Sequence, residues 1–409
     1  MHDAAQSPGL EAREGSRVPY ADLAMLLAAS RAALLIVGIL STWLIPSGLA
    51  VQKGNLVYHA PAARPLEIWA RWDSEWYLLI AAEGYAGPQV RSRFEGLAVP
   101  YEAEAPAGFL PLYPILIRVL SPLMGGVAAG ILISNVSLWC ALVLLYRLAC
   151  AAGGGASAGR VAGLAACAAL LVHPMSLFLS AVYAESLFLM LSLAAIDFAR
   201  RGRFAAAGLA GALGAVTRPF GLLLAAPIAF EWWDQRRLTP AGDRESRPSA
   251  LALLWTLAIP SALGLFMIYC WRAFGDPLAF AHRQSRWRGG LSGPWRAFTR
   301  WWESTPTAHG AHGSTLELGI AIAFILMLPF VVRRLRGSMA LYAILGVVMP
   351  LCSTLWSFGR LSLTIFPAFV MIGLAWSEGR RRFPVLYAFI GATLGGLLMA
   401  LFANWWWAG

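Results

Sequence analysis

Charged residues are scarce in this 409-residue sequence, in which Asp, Glu, Lys and Arg together make up 13% and hydrophobic residues 59%. Soluble globular proteins carry about 25% charged residues. Long apolar runs, such as 126–146 and 383–402, approach the roughly 20 residues that a helix needs to cross about 30 Å of hydrocarbon. Such runs predict membrane-spanning helices, because a barrel would alternate polar and apolar residues.

Lysine is nearly absent as well, since Lys53 stands alone against 31 arginines. Together with the abundance of alanine and glycine, this favours a GC-rich bacterial source. No Walker or dinucleotide-binding glycine loop is present, so the sequence gives no support for an ATP-driven pump. The five cysteines lie in or beside apolar runs without paired spacing, which indicates packing residues rather than disulfides or metal ligands: Cys140, Cys150, Cys167, Cys270 and Cys352.

The net charge of +11 is concentrated in arginine clusters between apolar runs. Such clusters follow the positive-inside rule, so the charge does not indicate a nucleic-acid partner. Placing the clusters and the N-terminus in the cytoplasm predicts an all-α, polytopic transmembrane helical bundle of about eleven spans in a bacterial inner membrane. The predicted spans lie near 23–45, 126–147, 161–180, 184–199, 205–217, 219–233, 249–272, 315–332, 338–356, 361–377 and 383–403.

This path divides the chain into a cytoplasmic tail (1–22), a core (23–272), a second outer loop (273–314) and C-terminal spans (315–409). The core contains a large first outer loop (46–125), in which we expect short interfacial helices. Residues 109–124 are apolar but have no place as a span, so they are predicted to re-enter the membrane or lie at its interface. In the second loop, tryptophans at helical spacing with arginines between them predict an amphipathic helix on the membrane surface.

The densest polar and aromatic segment is 71–77, Arg-Trp-Asp-Ser-Glu-Trp-Tyr, in the first outer loop. A carboxylate flanked by Trp and Tyr suits a sugar site, because aromatic faces stack on sugar C–H surfaces and a carboxylate can accept a hydroxyl proton. The alternative is an interfacial helix with an aromatic belt and solvated acids. These residues alone do not decide between the two.

The string Trp-Asp-Ser-x-x-Tyr-x-x-Ile-Ala-x-x-Gly-Tyr at 72–85 resembles the PIG-V mannosyltransferase family. Leu361 departs from the family pattern, since we expect Tyr after the late arginine. The resemblance covers roughly residues 20 to 377. Further matching elements follow in order along the chain: Phe-Leu-Pro-Leu-Tyr-Pro at 109–114, His-Pro at 173–174, Tyr-Ala-Glu-Ser-Leu-Phe at 183–188, Thr-Arg-Pro at 217–219, Phe-Gly-Asp-Pro-Leu-Ala-Phe at 274–280, and Arg360 with Phe-Pro at 366–367.

The resemblance implies a GT-C class glycosyltransferase that moves mannose from a polyprenyl-phosphate donor and inverts the anomeric carbon. The acceptor, a glycolipid, a glycan or a protein, would be modified on the periplasmic face among membrane lipids. GT-C enzymes have a large first outer loop that carries an acidic residue, then seven core spans and a second outer loop, as in the path above. Asp73 is the expected general base. Oxygen ligands from Asp73 and Glu75 are also compatible with a Mg or Mn ion, although some GT-C enzymes need no metal.

Each of the charged residues Glu185, Arg218 and Arg360 has two alternative roles. Glu185 begins a helix, where it either interacts with the helix dipole or forms a polar acceptor pocket with His173 and Tyr183. Arg218 and Arg360 lie at outer helix ends and either bind the donor phosphate with their forks or pair with lipid headgroups. The expected substrate-binding residues are Trp72, Glu75, Tyr77, Tyr113, His173, Tyr183, Glu185, Arg218 and Arg360.

A transporter or lipid flippase is the rival class, because it would also account for many spans and buried charges. That class predicts internal repeats with paired broken helices, and the two halves of the sequence show no clear repeat. A membrane subunit without catalytic activity is a third alternative.

Overall fold

A computed structural model of the chain describes residues 18–48, 66–86, 105–240, 247–310 and 312–409. Within these ranges the chain is helical, and no β-strand forms apart from an isolated bridge between Thr307 and Ser314. The all-α prediction is therefore confirmed. The α-helices are α1 (Tyr20–Leu44), α2 (Asp73–Glu83), α3 (Leu112–Met124), α4 (Gly126–Ala152), α5 (Ala156–Leu171), α6 (Glu185–Arg200), α7 (Phe204–Ala215), α8 (Ala225–Leu238), α9 (Ala258–Phe274), α10 (Ala279–Arg288), α11 (Arg296–Glu303), α12 (Thr315–Arg334), α13 (Gly337–Leu351), α14 (Phe358–Ser362), α15 (Phe366–Ser377) and α16 (Arg382–Ala403).

Helices occupy all eleven predicted spans, but they differ in length. Among the described residues, five helical segments are long and apolar enough to cross a membrane: α1, α4, Ala250–Phe274 (a 3-10 turn that continues into α9), α12 and α16. The other predicted spans contain shorter helices, such as the 12-residue α7. The chain is thus a membrane protein, whereas the number of spans and the division at residues 22, 272 and 314 stay predictions.

Prolines break two of the predicted spans. α5 ends at Leu171, short of residue 180, and the chain turns through His173-Pro174 into a 3-10 segment at Ser176–Leu179. A residue that precedes proline is disfavoured in helical conformation, which accounts for the end of the helix. The span predicted at 361–377 is likewise divided, because Pro367 lies in the first turn of α15, where proline is favoured.

The apolar segment 109–124 forms α3, which packs against α2 and α4. A helix of 13 residues is about 20 Å long, which is too short to cross about 30 Å of hydrocarbon. The predicted span 205–217 contains a helix of similar length, the 12-residue α7, so the re-entrant or interfacial placement of 109–124 stays a prediction. The parts of the first outer loop at 49–65 and 87–104 lie outside the described residues.

Glycines allow close approach between the core helices. A Cβ atom on Gly208 of α7 would overlap the carbonyl oxygen of Trp255, and one on Gly163 of α5 would lie 2.5 Å from the ring of Tyr146 on α4. These contacts are the close helix packing that small residues favour in membranes.

Charged side chains collect at two opposite ends of the bundle. At one end Asp197 pairs with Arg201 at 2.9 Å, and Glu231 pairs with Arg336 at 2.8 Å. Glu185, at the other end, belongs to the site described below. Glu185 and Asp197 lie near opposite ends of α6, whose 16 residues span about 24 Å. The arginine-rich loops after α6, α8 and α12 therefore share one face, as the predicted path requires.

We expect the loops at 200–204, 234–248, 333–338 and 378–382 to face the cytoplasm. Single cysteines placed there, in a chain whose five native cysteines are replaced by alanine, should react with an impermeant maleimide only after the cells are permeabilised. Glu303→Cys on α11 is the matched control and should react in intact cells. Reaction at 234–248 in intact cells would overturn the orientation.

Candidate functional site

A cavity of about 500 Å³ lies at the end of the bundle opposite the arginine-rich loops. It is enclosed by α2, the first residue of α6, the 3-10 turn Pro219–Leu224, α10, α14 and the chain that precedes α14. Most of the lining is apolar or aromatic, with a few charged groups, as in typical ligand pockets. The charged residues of the described chain that line it are Asp73, Glu185, Arg218, Arg283, Arg288 and Arg360.

Asp73 is the first residue of α2, and contacts from distant parts of the chain fix its backbone. The hydroxyl of Tyr183 accepts a hydrogen bond from the Asp73 N–H at 3.2 Å and donates one to the carbonyl of Arg71 at 3.1 Å. The indole Nε1–H of Trp72 donates to the carbonyl of Trp406 at 3.2 Å. Tyr183 is therefore a positioning residue for Asp73 rather than a wall of the cavity.

A continuous series of ion pairs crosses the cavity. The Nη1 atom of Arg360 lies 2.6 Å from Oδ2 of Asp73, and its Nε atom lies 3.3 Å from Oε1 of Glu185. The same oxygen of Glu185 lies 2.5 Å from Nη1 of Arg218. Side-chain exposure is only 1% at Glu185 and 8% at Arg360, so these charges interact where water screens them little.

Glu185 lies both in the wall of the cavity and at the start of a helix. Its side chain lines the cavity, and the residue begins α6, where the helix dipole favours a negative charge. The second carboxylate oxygen, Oε2, is buried and has no hydrogen-bond partner within the described chain. A ligand hydroxyl would satisfy it.

Arg360 is held in place through its backbone. It lies on the short helix α14, which follows Ser357 in the left-handed conformation with φ 60° and ψ 23°. The Oε2 atom of Glu317, a side chain that is 1% exposed, accepts the Gly359 N–H at 2.5 Å. The hydroxyl of Ser314 in turn accepts the Glu317 N–H at 3.2 Å. Glu317 thus positions Arg360 from outside the cavity.

Backbone strain is concentrated around this site. The non-glycine residues with positive φ in the described ranges are Trp72, Ser357 and Trp405. Trp72 directly precedes Asp73, Ser357 lines the cavity, and the ring of Trp405 lies 6.4 Å from that of Trp72. Each such residue costs on the order of 1–3 kcal/mol, and such strain clusters at functional sites.

The second outer loop supplies one wall of the cavity. Gly275, with φ +76°, ends α9, and the side chain of Asp276 accepts the Leu278 N–H at 2.9 Å. The 274–280 motif therefore sets the course of the chain into α10, which carries Arg283 and Arg288 to the cavity. Burial, and then repulsion from Arg360 and Arg218, lower the pKa of Arg288 to about 9.

The structure brings together five of the ten predicted site residues, since Asp73, Tyr77, Glu185, Arg218 and Arg360 all line the cavity. The series of ion pairs joins four of these five. The other predicted site residues are Trp72 and Tyr183, which contact or flank the backbone of Asp73, and Glu75, Tyr113 and His173, which lie elsewhere.

His173 and Tyr113 are buried supports outside the cavity. The Nδ1 atom of His173 accepts the Met175 N–H at 3.1 Å, and its Nε2 atom lies 3.2 Å from Oγ of Ser362. Tyr113 is fully buried and donates its hydroxyl to the carbonyl of Gly130 at 2.9 Å. The expected polar pocket of His173 with Glu185 does not form, because the turn that carries His173 packs into the core.

Glu75 does not face the cavity together with Asp73. Both residues belong to the first turn of α2, and two positions along an α-helix correspond to a rotation of about 200°. The helix thus turns the two carboxylates of the expected Mg or Mn site toward different sides of α2. Within the described ranges, no group of three or more His, Cys, Asp or Glu residues lies together as a metal site.

Four tryptophans that line the cavity, and the acid that positions Arg360, were not among the predicted site residues. Glu317 gave no signal, because an acid at the start of an apolar run is equally typical of a helix N-terminus. The tryptophans stood out by their number alone, which does not distinguish a site from an interfacial belt. The missed residues are Trp76, Trp287, Glu317, Trp356 and Trp407.

We expect Glu317→Ala to lower kcat about tenfold, since an unpaired buried N–H costs about 1–3 kcal/mol and loosens the helix of Arg360. Glu317→Gln keeps an acceptor oxygen for the Gly359 N–H and should recover most of the activity. Kinetics at saturating substrate would measure both. Glu303→Ala, at an exposed position on α11, is the control. Equal activity of the alanine and wild-type proteins would remove Glu317 from this role.

The helices, the apolar segments and the charged cavity define a membrane protein with a charged cavity at one end of its helical bundle. The model of the mannosyltransferase (PIG-V) family matches residues 25–276, which is more than half of the chain. The chain therefore belongs to the PIG-V mannosyltransferase family. The matched region contains Asp73, Glu185 and Arg218, whereas Arg360 and the arginines of α10 lie beyond it.

Solved structures of the Archaeoglobus fulgidus oligosaccharyltransferase also match the chain. One, tethered with an acceptor peptide, is 11% identical with a TM-score of 0.40, and the match covers 93% of this chain and 55% of that one. Another, AglB in complex with an inhibitory peptide and a dolichol-phosphate, is 12% identical with a TM-score of 0.41, and the match covers 93% and 56%. The chain thus spans about half the length of these proteins. No curated protein matches it.

Proposed function

We propose that the protein transfers mannose from a polyprenyl-phosphate donor to a hydroxyl group of an acceptor, with inversion, on the periplasmic face of a bacterial inner membrane. The observation that carries the proposal is the series Asp73, Arg360, Glu185 and Arg218. It places a carboxylate that can accept a proton beside guanidinium groups that can bind a phosphate.

The charge of the cavity supports an anionic donor. Four arginines and two carboxylates line it within the described chain, which gives a net charge of +2. Guanidinium forks bind phosphate oxygens in pairs. The side chains of Arg218 and Arg360 are 12% and 8% exposed, which disfavours general pairing with lipid headgroups and favours one ligand bound inside the cavity.

The apolar side of the cavity supports a lipid carrier. Phe220, Leu222 and Leu223 follow Arg218 in the chain and line the cavity, together with Met349 and Leu291. Leu222 and Leu291 are also exposed on the surface of the protein. A polyprenyl chain could leave the phosphate along these side chains and reach the surrounding lipid, because they offer apolar contact from the arginine to the outside.

Asp73 has the position of a general base. In the proposed step, the acceptor hydroxyl gives its proton to the Asp73 carboxylate while its oxygen bonds to the anomeric carbon. The bond between that carbon and the phosphate oxygen breaks on the opposite face, and the phosphate leaves with the electron pair. A positioned base contributes about 10²–10⁴-fold, and nearby guanidinium groups stabilise the charge that develops on the phosphate. The proposal includes no Mg or Mn ion at Asp73 and Glu75, because α2 separates the two side chains.

The position of the cavity favours transfer over transport. Substrate sites of secondary transporters lie near the bilayer midplane, whereas this cavity lies at the end of α6 that begins with Glu185. The transporter or flippase interpretation is therefore less favoured.

The proposal is tested with purified protein, polyprenyl-phosphate [¹⁴C]mannose and lipids extracted from the source cells. We expect labelled product to appear as polyprenyl phosphate is released, and Asp73→Asn protein to form both at least about 100-fold more slowly. Donor that crosses the membrane of proteoliposomes without being consumed would support the flippase instead. An intact donor in both assays would contradict the proposed function.

A further inference from the structure

The segment that follows α16 folds back onto the cavity. The carbonyl of Asn404 accepts the Gly48 N–H at 2.8 Å, and the indole of Trp406 donates to the carbonyl of Pro46 at 3.0 Å. The carbonyl of Trp406 accepts the Trp72 indole N–H described above. These bonds tie residues 404–409 to the end of α1 and to the start of α2, so the segment has a fixed place beside Asp73.

Two tryptophans form a corner in the cavity wall at this place. The rings of Trp356 and Trp407 both line the cavity, with centroids 5.8 Å apart and planes at 62°. The Trp407 ring also lies 5.1 Å from that of Trp72, at 88°. Trp407 therefore contacts the residue that directly precedes the proposed base.

Trp356 carries an unsatisfied polar atom at this corner. Its indole Nε1 is buried and has no hydrogen-bond partner within the described chain. An unpaired buried N–H costs about 1–3 kcal/mol, so such a group is expected where a ligand supplies the acceptor. A polar atom beside two aromatic faces suits a ligand with both C–H faces and hydroxyl groups.

We propose that Trp356 and Trp407 form the acceptor subsite and that they bind a carbohydrate ring. Trp407 stacks against the C–H face of the ring, and the Nε1–H of Trp356 donates a hydrogen bond to one of its hydroxyl groups. This inference rests on the proposed function and deepens it, because it specifies a sugar-bearing acceptor rather than a peptide. Both residues lie beyond the region that the family model matches, so membership of the family does not assign them.

The subsite belongs to the acceptor rather than to the donor because of its neighbours. The base must accept the acceptor proton, so the acceptor hydroxyl has to lie at Asp73, and Trp407 contacts Trp72 next to it. Of the side chains proposed for the donor, Phe220, Leu222 and Leu223 belong to the 3-10 turn Pro219–Leu224, and Arg218 directly precedes it. The donor and the acceptor would thus approach each other from opposite ends of the series of ion pairs.

The probe for this subsite is octyl α-D-mannopyranoside, used as the acceptor with the labelled donor. Trp407→Ala should raise the KM for the octyl mannoside at least about tenfold, a larger factor than any change that it causes in the donor KM or in the slow hydrolysis of donor by water. Trp407→Phe retains an aromatic face and should recover most of the loss. Trp302→Ala, at a residue of α11 that is 82% exposed, is the matched control and should match the wild type.

The proposed hydrogen bond from the Trp356 indole is tested with deoxy analogues of the octyl mannoside. Wild-type enzyme should show a higher KM with one monodeoxy analogue of the octyl mannoside than with the parent. Trp356→Phe should no longer distinguish the two, because it lacks the indole N–H. If Trp356→Phe still discriminates against every analogue that the wild type does, the hydrogen bond is disproved.

The outcomes separate this inference from the proposed function. Consumption of donor by the wild type, through hydrolysis or transfer, supports the proposed function alone. Donor consumption with transfer to a serine-containing peptide, or with no transfer to the octyl mannoside, overturns the carbohydrate subsite. An equal loss of hydrolysis and transfer in Trp407→Ala would show a structural role and also overturn it. No donor consumption at all would instead contradict the proposed function.

Discussion

Asp73→Asn is expected to lower kcat for mannosyl transfer by about 10²–10⁴-fold, the usual contribution of a positioned general base. An amide is not basic enough to take the acceptor proton, yet it matches the shape of the carboxylate. The fold should persist, because Arg360 would keep its ion pair with Glu185. Single-turnover kinetics with labelled donor would measure the effect, and the donor KM should change little.

The matched control for Asp73 is Glu83→Gln at the other end of α2. It removes a carboxylate from the same helix but outside the cavity, so turnover should stay near that of the wild type. A folded Asp73→Asn protein with near wild-type kcat would mean that another group accepts the proton. Glu185 would then be the next candidate, since its Oε2 atom is buried without a partner.

Arg360→Lys should lower kcat by about 10²–10³-fold, on the scale seen when one donor to a developing negative charge is removed. Lysine keeps the charge but loses the planar fork that can contact Asp73 and Glu185 at once. Arg360→Ala is a poorer test, because it leaves Glu185 buried with fewer partners, and breaking a buried pair costs about 3–5 kcal/mol of stability. Donor-dependent kinetics of the lysine variant, in one fixed lipid mixture, would give the donor KM and kcat.

Arg296→Lys is the control for Arg360, because Arg296 pairs with Glu303 on the surface. Surface pairs contribute about 0–1 kcal/mol, so activity should be unaffected. Pairing of Arg360 with lipid headgroups would instead alter thermal stability and leave the kinetics unchanged. That result would leave Arg218, Arg283 and Arg288 as the cationic partners of the donor phosphate.

Much of the fold could be predicted because helices in membranes are encoded locally. Runs of apolar residues and the arginines between them suffice to place segments such as α4 and α16, and their boundaries fall within a few residues of the prediction. The breaks within the spans at 161–180 and 361–377 were missed. Both occur at a proline, where the backbone near the site departs from a continuous helix.

The sequence predicted several individual residues of the candidate site but not the contacts between them. Motifs single out Asp73, Glu185 and Arg218, but the pairing of Asp73 with Arg360 joins residues 287 positions apart and arises only from helix packing. His173 shows the reverse, because a histidine beside a proline looks the same in a sequence whether it faces a pocket or the core. Trp407 becomes part of the site only because the segment after α16 turns back.

The net charge of the cavity has a consequence for the turnover of the proposed enzyme. A phosphodiester-linked donor carries one negative charge, whereas the phosphate monoester left after transfer carries nearly two at pH 7. The four arginines and two carboxylates that line the cavity within the described chain therefore balance the spent carrier better than the incoming donor. The charge match that helps the phosphate to depart from the sugar also retains it afterwards. In the proposed reaction, polyprenyl phosphate is thus a product inhibitor, and its escape into the lipid becomes the slow step once the chemistry is fast.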